Sequence, residues 1–549
     1  MIRSASPPSE RPTRRAGPGV RLLGFLGTTA LVLWVTALMV LFNGGITIGY
    51  RNHAALLPVV RRILDADYLP QDFGIALRLY HHRFFAEIVA GGSKLLGEDG
   101  ALIALTLLGM FLVALCLLYL SRSLGLSLPG YVTAGVLLAL HAGEAGRGLE
   151  ANKFLGNDHI MPPTFAHALI LLAVGLLIRG RYTSASFAAA LITLFHTQIG
   201  VLFVFILLPL LFTRLRSRPR RESLICLALL AAPAIPLLSH MAAMAQHGAA
   251  DTSGLIEYFR FRQPHHFAFR ADRTLLVAAF FLVQLGTLAW LKRRRRVEAD
   301  AVRSLVALSS AILLLSGLHY LDYHLLGWGP IARMQFLRLS PLISVFGTLC
   351  VVLWGSVAAS RWAARRRTEL DLRRVGHLWL AGLVLATSVY AYAAKAGRAG
   401  YDLIHKYREE RSPWVDICRY ARESTGSDGV FLTPPGNEGF TYLAERSTVV
   451  EFKVNPDGGM YLGQWYERLR DLSGGSLPLT SGMENERLLN EAYAQLGPEE
   501  LIALAVKYGA RMAVLPSSSP VPFEPVYSNA GYRLVRIPVE PSVRPGKEG

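Results

Sequence analysis

The sequence predicts an α-helical polytopic membrane protein with a C-terminal extracytoplasmic α/β domain. Of its 549 residues, 52% are hydrophobic and only 17% are charged, and the mean hydropathy is +0.34. This profile is typical of a membrane protein with many spans, because a soluble chain of this length carries more charge. The character changes after residue 394, where polar residues and short strand and helix patterns replace the long apolar runs.

Eleven apolar runs are candidates to cross a bilayer, which takes roughly 20 helical residues. They fall at 22–42, 101–120, 129–142, 162–178, 184–196, 198–213, 223–240, 274–291, 304–320, 338–359 and 376–394. The fifth and sixth runs are short for two full crossings, because FHTQIG (195–200) interrupts them. Residues 184–213 therefore fit two short crossings, a tight re-entrant hairpin or one long span, and the polar interruption needs cover from protein.

Positive charge is concentrated between the apolar runs. The chain has a formal net charge of +18, of which residues 1–394 carry +20 and residues 395–549 carry −2. Clusters at 214–221, 292–296 and 361–367 fall on one side of an eleven-span topology, together with the N-terminal tail. The positive-inside rule makes that side the cytoplasm of an inner (plasma) membrane and places the C-terminal domain outside. This clustering indicates topology and argues against nucleic acid as a partner.

The patterns divide the chain into four regions. Residues 1–21 predict a disordered, basic cytoplasmic tail, and residues 22–394 a transmembrane domain with a long outer loop at 44–100. Within that loop, 54–64 and 73–96 have the apolar spacing of amphipathic surface helices. Residues 395–540 predict the α/β domain and 541–549 a frayed tail. The predicted strands are 429–435, 448–452, 511–516 and 532–538, and the predicted helices are 414–424, 485–496 and 499–509.

An acidic turn, LDADYLPQDF (64–73), joins the two predicted surface helices. Asp65 and Asp67 are spaced so that they can share one Mg²⁺ or Mn²⁺ ion, or one of them can act as a general base. The alternative is a solvated turn in which Asp65 pairs with Arg61 or Arg62. Asp72 suits the N-cap of the second helix, and it is also a candidate substrate contact.

Two further motifs place ionisable residues near the same face. NDHIMPP (157–163) offers Asp158 as a second acid and His159 as a phosphate contact or metal ligand. Alternatively, this motif only caps the span that begins near Pro162. FHTQIG places His196 at membrane depth, where polar groups mark a cavity or pathway. The alternative for His196 is that it satisfies the broken backbone of the hairpin.

Basic and aromatic residues are interleaved in two later loops. RFRQPHHFAFR (260–270) offers Arg262, His265 and His266 to bind an anionic headgroup or a lipid-linked phosphate. HYLDYHLLGWGPIARMQFLRLSP (319–341) offers His324 and Arg333 for the same role. Both loops could instead be interfacial segments that their aromatic and basic residues anchor.

These features together resemble the GT-C superfamily of polytopic glycosyltransferases and its bacterial relatives. The likeness lies in the long outer loop, in the short hairpin spans and in four motifs: GYRNHAALLPVVRRILDADYLPQDF (49–73), FLTPPGNEGF (431–440), STVVEFK (447–453) and WYERL (465–469). The resemblance implies that Asp65 or Asp67, assisted by Asp158, is the base or a metal ligand. It also adds His53, within the first motif, to the candidate substrate-binding residues.

The resemblance further implies transfer of a sugar from a polyprenyl-phosphate donor in the lipid bilayer to a glycan or protein acceptor. Arg262, His265, His266 and Arg333 would then hold the donor phosphate. A second hypothesis is non-enzymatic: a transporter or lipid-handling protein of the same fold, in which His196 and the broken hairpin line a pathway. No Walker, GxSxG or HExxH motif is present to indicate soluble nucleotide or hydrolase chemistry.

Overall fold

The structure of the chain is a computed structural model. It describes residues 18–79, 82–140, 149, 153–155, 159–235, 255–296, 298–365, 372–396, 402–456, 461–478 and 480–539. The predicted C-terminal tail and most of the N-terminal tail lie outside these ranges, as does Asp158.

A helix coincides with each of the eleven predicted spans. Among the described α-helices before residue 397, only Asn52–Leu64, Phe73–Arg78, Leu255–Arg262 and Pro330–Arg333 have no counterpart among those spans. Seven of the described helices are long and apolar enough to cross a membrane, and Leu128–Leu140, Pro162–Ile178 and Tyr182–Phe195 are shorter apolar helices. In chain order the helices are α1 (Pro18–Phe42), α2 (Asn52–Leu64), α3 (Phe73–Arg78), α4 (Arg83–Ser123), α5 (Leu128–Leu140), α6 (Pro162–Ile178), α7 (Tyr182–Phe195), α8 (Thr197–Leu215), α9 (Arg220–Ala231), α10 (Leu255–Arg262), α11 (Ala271–Arg293), α12 (Glu298–Tyr320), α13 (Pro330–Arg333), α14 (Pro341–Arg365) and α15 (Leu372–Ala391).

The interruption at FHTQIG is a sharp reversal between α7 and α8. His196, which separates the two helices, has an extended backbone. A Cβ atom added at Gly200 would lie 2.3 Å from the Cα of Thr193. Seven residues of continuous helix would instead separate these positions by about 10 Å. The two helices therefore form a hairpin, which excludes one long span.

Replacing Gly200 with alanine is expected to destabilise this hairpin. The new methyl group would meet the backbone of Thr193, so the helices must separate, at a cost of about 1–3 kcal/mol. Thermal unfolding of the full-length protein in detergent measures the effect. Gly317→Ala in α12 is the matched control, because nothing lies within 4 Å of a Cβ at Gly317. Equal melting temperatures for the two variants would contradict the close contact.

The turns at one end of the bundle lie together and carry basic residues. Arg179, after α6, donates to Ser123 Oγ at the end of α4 at 2.8 Å. Arg218, before α9, lies over the Tyr182 ring at 5.2 Å. The C-terminal domain lies at the opposite end of the bundle, where Lys406 binds Asp99 before the apolar part of α4 at 3.0 Å. We call this end the domain side.

The first long loop, which follows α1, begins with a strand on the domain side. It continues through α2 and α3 into the first part of α4. Its strand β1 (Ile46–Ile48) pairs in parallel with β2 (Ile404–Lys406), at the start of the C-terminal domain. The predicted second surface helix, 73–96, is two helices: α3 ends at Arg78 and α4 begins at Arg83. A break in α4 at Gly97, where φ is 72°, separates its surface part from its apolar part.

The C-terminal domain is a five-stranded sheet with helices. The strand order is β4-β3-β5-β7-β6, with β4, β3 and β5 parallel and β7 and β6 antiparallel. The carboxyl ends of β3 and β4 lead into residues 433–439 and 449–456, the sheet edge where ligand sites form in parallel sheets. The elements are α16 (Pro413–Ser424), β3 (Val430–Leu432), α17 (Phe440–Ala444), β4 (Ser447–Thr448), α18 (Leu462–Asp471), α19 (Met483–Ala494), α20 (Pro498–Tyr508), β5 (Ala510–Pro516), β6 (Pro525–Ser528) and β7 (Tyr532–Arg536).

Aromatic side chains fasten α10 to the C-terminal domain. The Phe261 ring lies 5.5 Å from that of Phe452 and 6.1 Å from that of Trp465, which is fully buried. Tyr258, one turn earlier on α10, lies 6.0 Å from Trp465. Such pairs add stabilisation beyond their buried area. The contact fixes the next residue of α10, Arg262, at the junction between the bundle and the domain.

Candidate functional site

Asp72 joins the first long loop to the C-terminal domain. Its Oδ1 accepts a hydrogen bond from Ile75 N at 2.8 Å, so it is the predicted N-cap of α3. Its Oδ2 accepts from Thr441 Oγ1 and from Thr448 N, both at 3.2 Å. Asp72 is only 2% exposed. Asp72 therefore docks the first loop on the C-terminal domain, and its role as a substrate contact stays a prediction.

Glu451 is a second buried carboxylate at the same contact. Its oxygens accept from Gly439 N at 2.8 Å and from Thr441 N at 3.1 Å. Burial raises the pKa of Asp72 to about 6 and the pKa of Glu451 to about 7, although their hydrogen bonds act in the opposite direction. We therefore expect a change of protonation at these two carboxylates to alter the attachment of the domain.

Arg61 makes a second contact between the same two parts of the chain. Its guanidinium binds Glu98 through two nitrogens, each at 2.8 Å, and lies 3.4 Å from Glu445. The alternative pairing of Asp65 with Arg61 or Arg62 is not observed. Arg61 uses Glu98 instead, and Arg62 donates to a backbone carbonyl at 3.0 Å.

The acidic turn itself faces solvent. Asp65 and Asp67 are both exposed, and Asp65 Oδ1 accepts from Asp67 N at 2.9 Å, which closes the turn. Among the described residues, no group of three or more His, Cys, Asp or Glu is arranged to hold a metal ion. The turn thus offers Mg²⁺ or Mn²⁺ two carboxylates and no further protein carboxylate or imidazole within the described ranges. Asp158, the predicted second acid, lies outside the described residues.

His53 and His159 meet between the first and second loops of the domain side. His53 is fully buried, with Nε2 2.7 Å from Ile160 O and Nδ1 3.4 Å from Gly49 N. These partners indicate a neutral ring that donates through Nε2. The ring of His159 packs edge-on against it at 5.1 Å. The pair ties the two loops together, so both predicted substrate contacts lie in the packed interior.

His196 lies at the reversal of the α7–α8 hairpin. Its side chain accepts from Ile199 N at 3.3 Å and so caps α8, and its ring lies 4.7 Å from that of His82. Gln198, in the first turn of α8, donates to the carbonyl oxygen of Arg333 at 3.2 Å. The cap matches the structural alternative for His196, and the hairpin helps to hold the loop that carries Arg333.

Of the other predicted histidines, His265 and His324 are exposed on the domain side and His266 is half-buried. His265 and His266 form part of a short 3₁₀ helix, Pro264–His266, with their rings 4.2 Å apart. His324 is exposed on a π-helical turn and packs against Tyr323 at 4.8 Å. Of these three residues, His265 and His266 follow the buried Arg262 by three and four residues.

Two cations, the buried Arg262 and the half-buried Lys453, come from the two sides of the junction. Arg262 is 6% exposed, donates to the carbonyl oxygen of Lys453 at 3.0 Å and lies over the Phe452 ring at 4.7 Å. Its Nε is buried without a hydrogen-bond partner. Burial lowers the pKa of Arg262 and the pKa of Lys453, and the nearby Arg262 charge lowers that of Lys453 further. Buried positive charge of this kind is costly unless an anion neutralises it.

Other charged groups surround this pair, and together they form what we call the junction cluster. The charge of each acts on Arg262, on Lys453 or on the adjacent His265 and His266. Among the described residues, Arg262 and Lys453 have no ion-pair partner, which leaves a local excess of positive charge. A phosphate group suits this excess in both charge and hydrogen-bonding capacity. The members are Arg51, Arg78, Arg262, Arg338, Lys453, Glu438 and Glu486.

The sequence pattern led to Arg262 but not to the residues that the C-terminal domain contributes. Lys453 follows the strand pattern TVVEF, and Glu438 lies in the loop after GVFL. Residues after neighbouring parallel strands converge at one sheet edge, so this placement was a usable signal. No such sequence signal pointed to Glu486, because it lies in the first turn of an ordinary amphipathic helix.

The fold and the junction cluster define a multi-pass membrane protein whose C-terminal domain completes a cationic site. Residues 412–472 match a family model described as Domain of unknown function (DUF6798). The chain is similar to the crystal structure of ArnT from Cupriavidus metallidurans bound to undecaprenyl phosphate, at 12% identity and a TM-score of 0.49. It is also similar to that protein in the apo state, at 13% identity and a TM-score of 0.47. Each likeness covers 96% of this chain and 100% of the other. No curated protein matches the chain.

Proposed function

We propose that the chain is a membrane glycosyltransferase of the GT-C type that uses a polyprenyl-phosphate-linked sugar as its donor. The observation that carries this proposal is the desolvated pair Arg262 and Lys453 within the junction cluster. Among the described residues, neither cation has a carboxylate within ion-pair distance. A phosphate between them would accept hydrogen bonds from both and offset their desolvation.

The position of the junction cluster suits a donor that has a lipid chain at one end and a phosphate-linked sugar at the other. Arg262 and His265 precede α11, and Arg338 precedes α14, so the cluster lies at the ends of membrane helices. The polyprenyl chain can therefore remain in the bilayer while the phosphate reaches the cluster. As the sugar leaves, negative charge develops on the phosphate, and Arg262 and Lys453 would stabilise it.

The proposal places the domain side outside the cytoplasm of an inner (plasma) membrane. The basic turns at the opposite end of the bundle, including Arg179 and Arg218, support this orientation. The N-terminus would then be cytoplasmic. The C-terminal domain would lie outside, where it would bind a glycan or protein acceptor.

The direct test is sugar transfer by the full-length protein in proteoliposomes. A panel of polyprenyl-phosphate-linked hexoses and pentoses, radiolabelled in the sugar, serves as donor, with a membrane extract as the acceptor. We expect one donor to release polyprenyl phosphate and to label an acceptor. Absence of transfer and of polyprenyl phosphate binding across the panel would contradict the proposal, and substrate flux without transfer would favour the transporter alternative.

The same assay tests the carboxylates that the family resemblance assigns to catalysis. Asp65→Asn, Asp67→Asn and Asp158→Asn are compared at saturating donor. Loss of a general base lowers the rate by about 10²–10⁴-fold. A loss of that size with donor binding retained would support the assigned role, and an unchanged rate would leave Asp65 and Asp67 as residues of a solvated turn.

A further inference from the structure

The C-terminal domain brings a carboxylate, Glu486, to the junction cluster. Glu486 lies in the first turn of α19, which contacts α10 through the carbonyl oxygen of Phe261. That oxygen accepts from Gly482 N at 2.9 Å and from Asn485 Nδ2 at 2.7 Å. Phe261 precedes Arg262 in the chain. The contacts therefore bring the segment that carries Glu486 to the segment that carries Arg262, and the charges of these two side chains act on each other.

The loop after β3 holds the other side of this turn. A Cβ atom added at Gly436 would lie 2.1 Å from the carbonyl oxygen of Glu486, so only glycine permits this approach. Gly436 N also donates to Asn490 Oδ1, one turn further along α19, at 2.8 Å. The same loop carries Glu438, the second carboxylate of the cluster. Glu486 is thus fixed between the α10 segment and the loop.

Glu486 has no hydrogen-bond or ion-pair partner among the described residues. Its neighbour on the same helix, Glu484, is exposed and pairs with Arg487. Burial raises the pKa of Glu486, and the nearby Glu438 adds to this, whereas Arg262 and Lys453 act against it. A carboxylate with a raised pKa and no protein partner is suited to exchange protons with a bound molecule.

Other charged groups face Glu486 from each element packed around it. The charges of Arg262 on α10, of Lys453 after β4 and of Glu438 in the loop after β3 all act on the Glu486 carboxylate. The segment that carries His265 packs on the start of α19, where Pro264 would lie 3.1 Å from a Cβ at Gly482. A second, independent sign of a ligand here is the buried Nε of Arg262, which has no partner.

We infer that Glu486 is the general base for transfer of the sugar to a hydroxyl-bearing acceptor. The inference rests on the proposed function and deepens it. The Glu486 carboxylate takes the acceptor hydroxyl proton, and the acceptor oxygen forms a bond to the anomeric carbon of the sugar. The bond from that carbon to the phosphate oxygen breaks, and its electron pair stays on the polyprenyl phosphate held by Arg262 and Lys453. Protonated Glu486 then releases its proton to water.

The test compares Glu486→Gln with Glu484→Gln in the full-length protein. We expect Glu486→Gln to lower kcat at least about 100-fold, since it removes general-base catalysis. The Kd for polyprenyl phosphate should change by less than about threefold, because the cations that bind the phosphate remain. The acidic limb of the pH profile of kcat should disappear. Glu484→Gln, which alters an exposed ion pair, should match the wild type in all three measurements.

A kcat within tenfold of wild type for Glu486→Gln, with the acidic limb retained, would overturn the inference and leave the donor site intact. Failure of the wild type to bind polyprenyl phosphate or to transfer any sugar would instead contradict the proposed function. If Glu486→Gln lowers the melting temperature, the Glu486→Asp variant tests the general-base role instead. This variant keeps a carboxylate and is expected to move the acidic limb, so an unmoved limb would overturn the inference.

Discussion

Replacing Arg262 with glutamine is expected to weaken the binding of polyprenyl phosphate by about 10–100-fold. The estimate follows from the loss of a charge-assisted hydrogen bond, worth about 1.5–3 kcal/mol. Sugar transfer at limiting donor should fall at least as far, because the same cation stabilises the leaving phosphate. Binding of polyprenyl phosphate to the full-length protein in lipid nanodiscs provides the measurement.

Arg270→Gln is the matched control for this substitution. Arg270 belongs to the same loop but is exposed and pairs with Asp272 at 3.2 Å. Its replacement should leave the affinity within about twofold, since exposed ion pairs contribute little. Arg262→Lys retains the positive charge but lacks the planar guanidinium group. Its affinity for polyprenyl phosphate should therefore lie between those of Arg262→Gln and Arg270→Gln. Equal affinities of the Arg262→Gln and Arg270→Gln variants for polyprenyl phosphate would contradict a phosphate site at the junction.

Replacing Asp72 with alanine is expected to loosen the C-terminal domain. The substitution removes the N-cap of α3 and leaves the buried N–H of Thr448 without its acceptor. Together these losses amount to about 2–4 kcal/mol. Thermal unfolding and limited proteolysis of the full-length protein measure the effect. Asp67→Ala is the control, because Asp67 is exposed in the same loop.

The size of the Asp72 effect should depend on pH in a defined direction. Burial raises the pKa of Asp72 from 3.8 to about 6, so between these values the folded protein binds more protons than the unfolded chain. The contribution of Asp72 to stability is therefore greatest below about pH 4 and decreases as the pH rises to about 6. The difference between wild type and Asp72→Ala should narrow over that window. A difference that widens would show that the ionised carboxylate is the stabilising form.

The sequence predicted the positions of the membrane helices well, because the length of a span follows directly from the thickness of the bilayer. A helix coincides with every predicted span, including the two on either side of His196. The hairpin itself was one of several alternatives. The contact that distinguishes the hairpin from one long span, between Gly200 and Thr193, depends on the packing of two helices side by side. The hydrophobic periodicity of the sequence does not predict that packing.

Only part of the junction cluster could be predicted from the sequence, and the reason is physical. Arg262 was a candidate because a basic residue among aromatics in a loop is visible locally. Lys453 and Glu486 lie about 190 and 220 residues further along the chain, and only the docking of α10 on Trp465 brings them to Arg262. Asp72 shows the same limit: its N-cap role is local and was predicted, whereas its bonds to Thr441 and Thr448 are not local.

The proposed function requires that the bundle and the C-terminal domain share a single phosphate site. The most direct measurement is photo-crosslinking with a polyprenyl phosphate analogue that carries a diazirine next to its phosphate, followed by peptide mapping on the full-length protein. We predict adducts in two segments, 255–266 and 449–456, and fewer of them in Arg262→Gln. Adducts confined to the acidic turn at 64–73, or to the membrane helices alone, would contradict it.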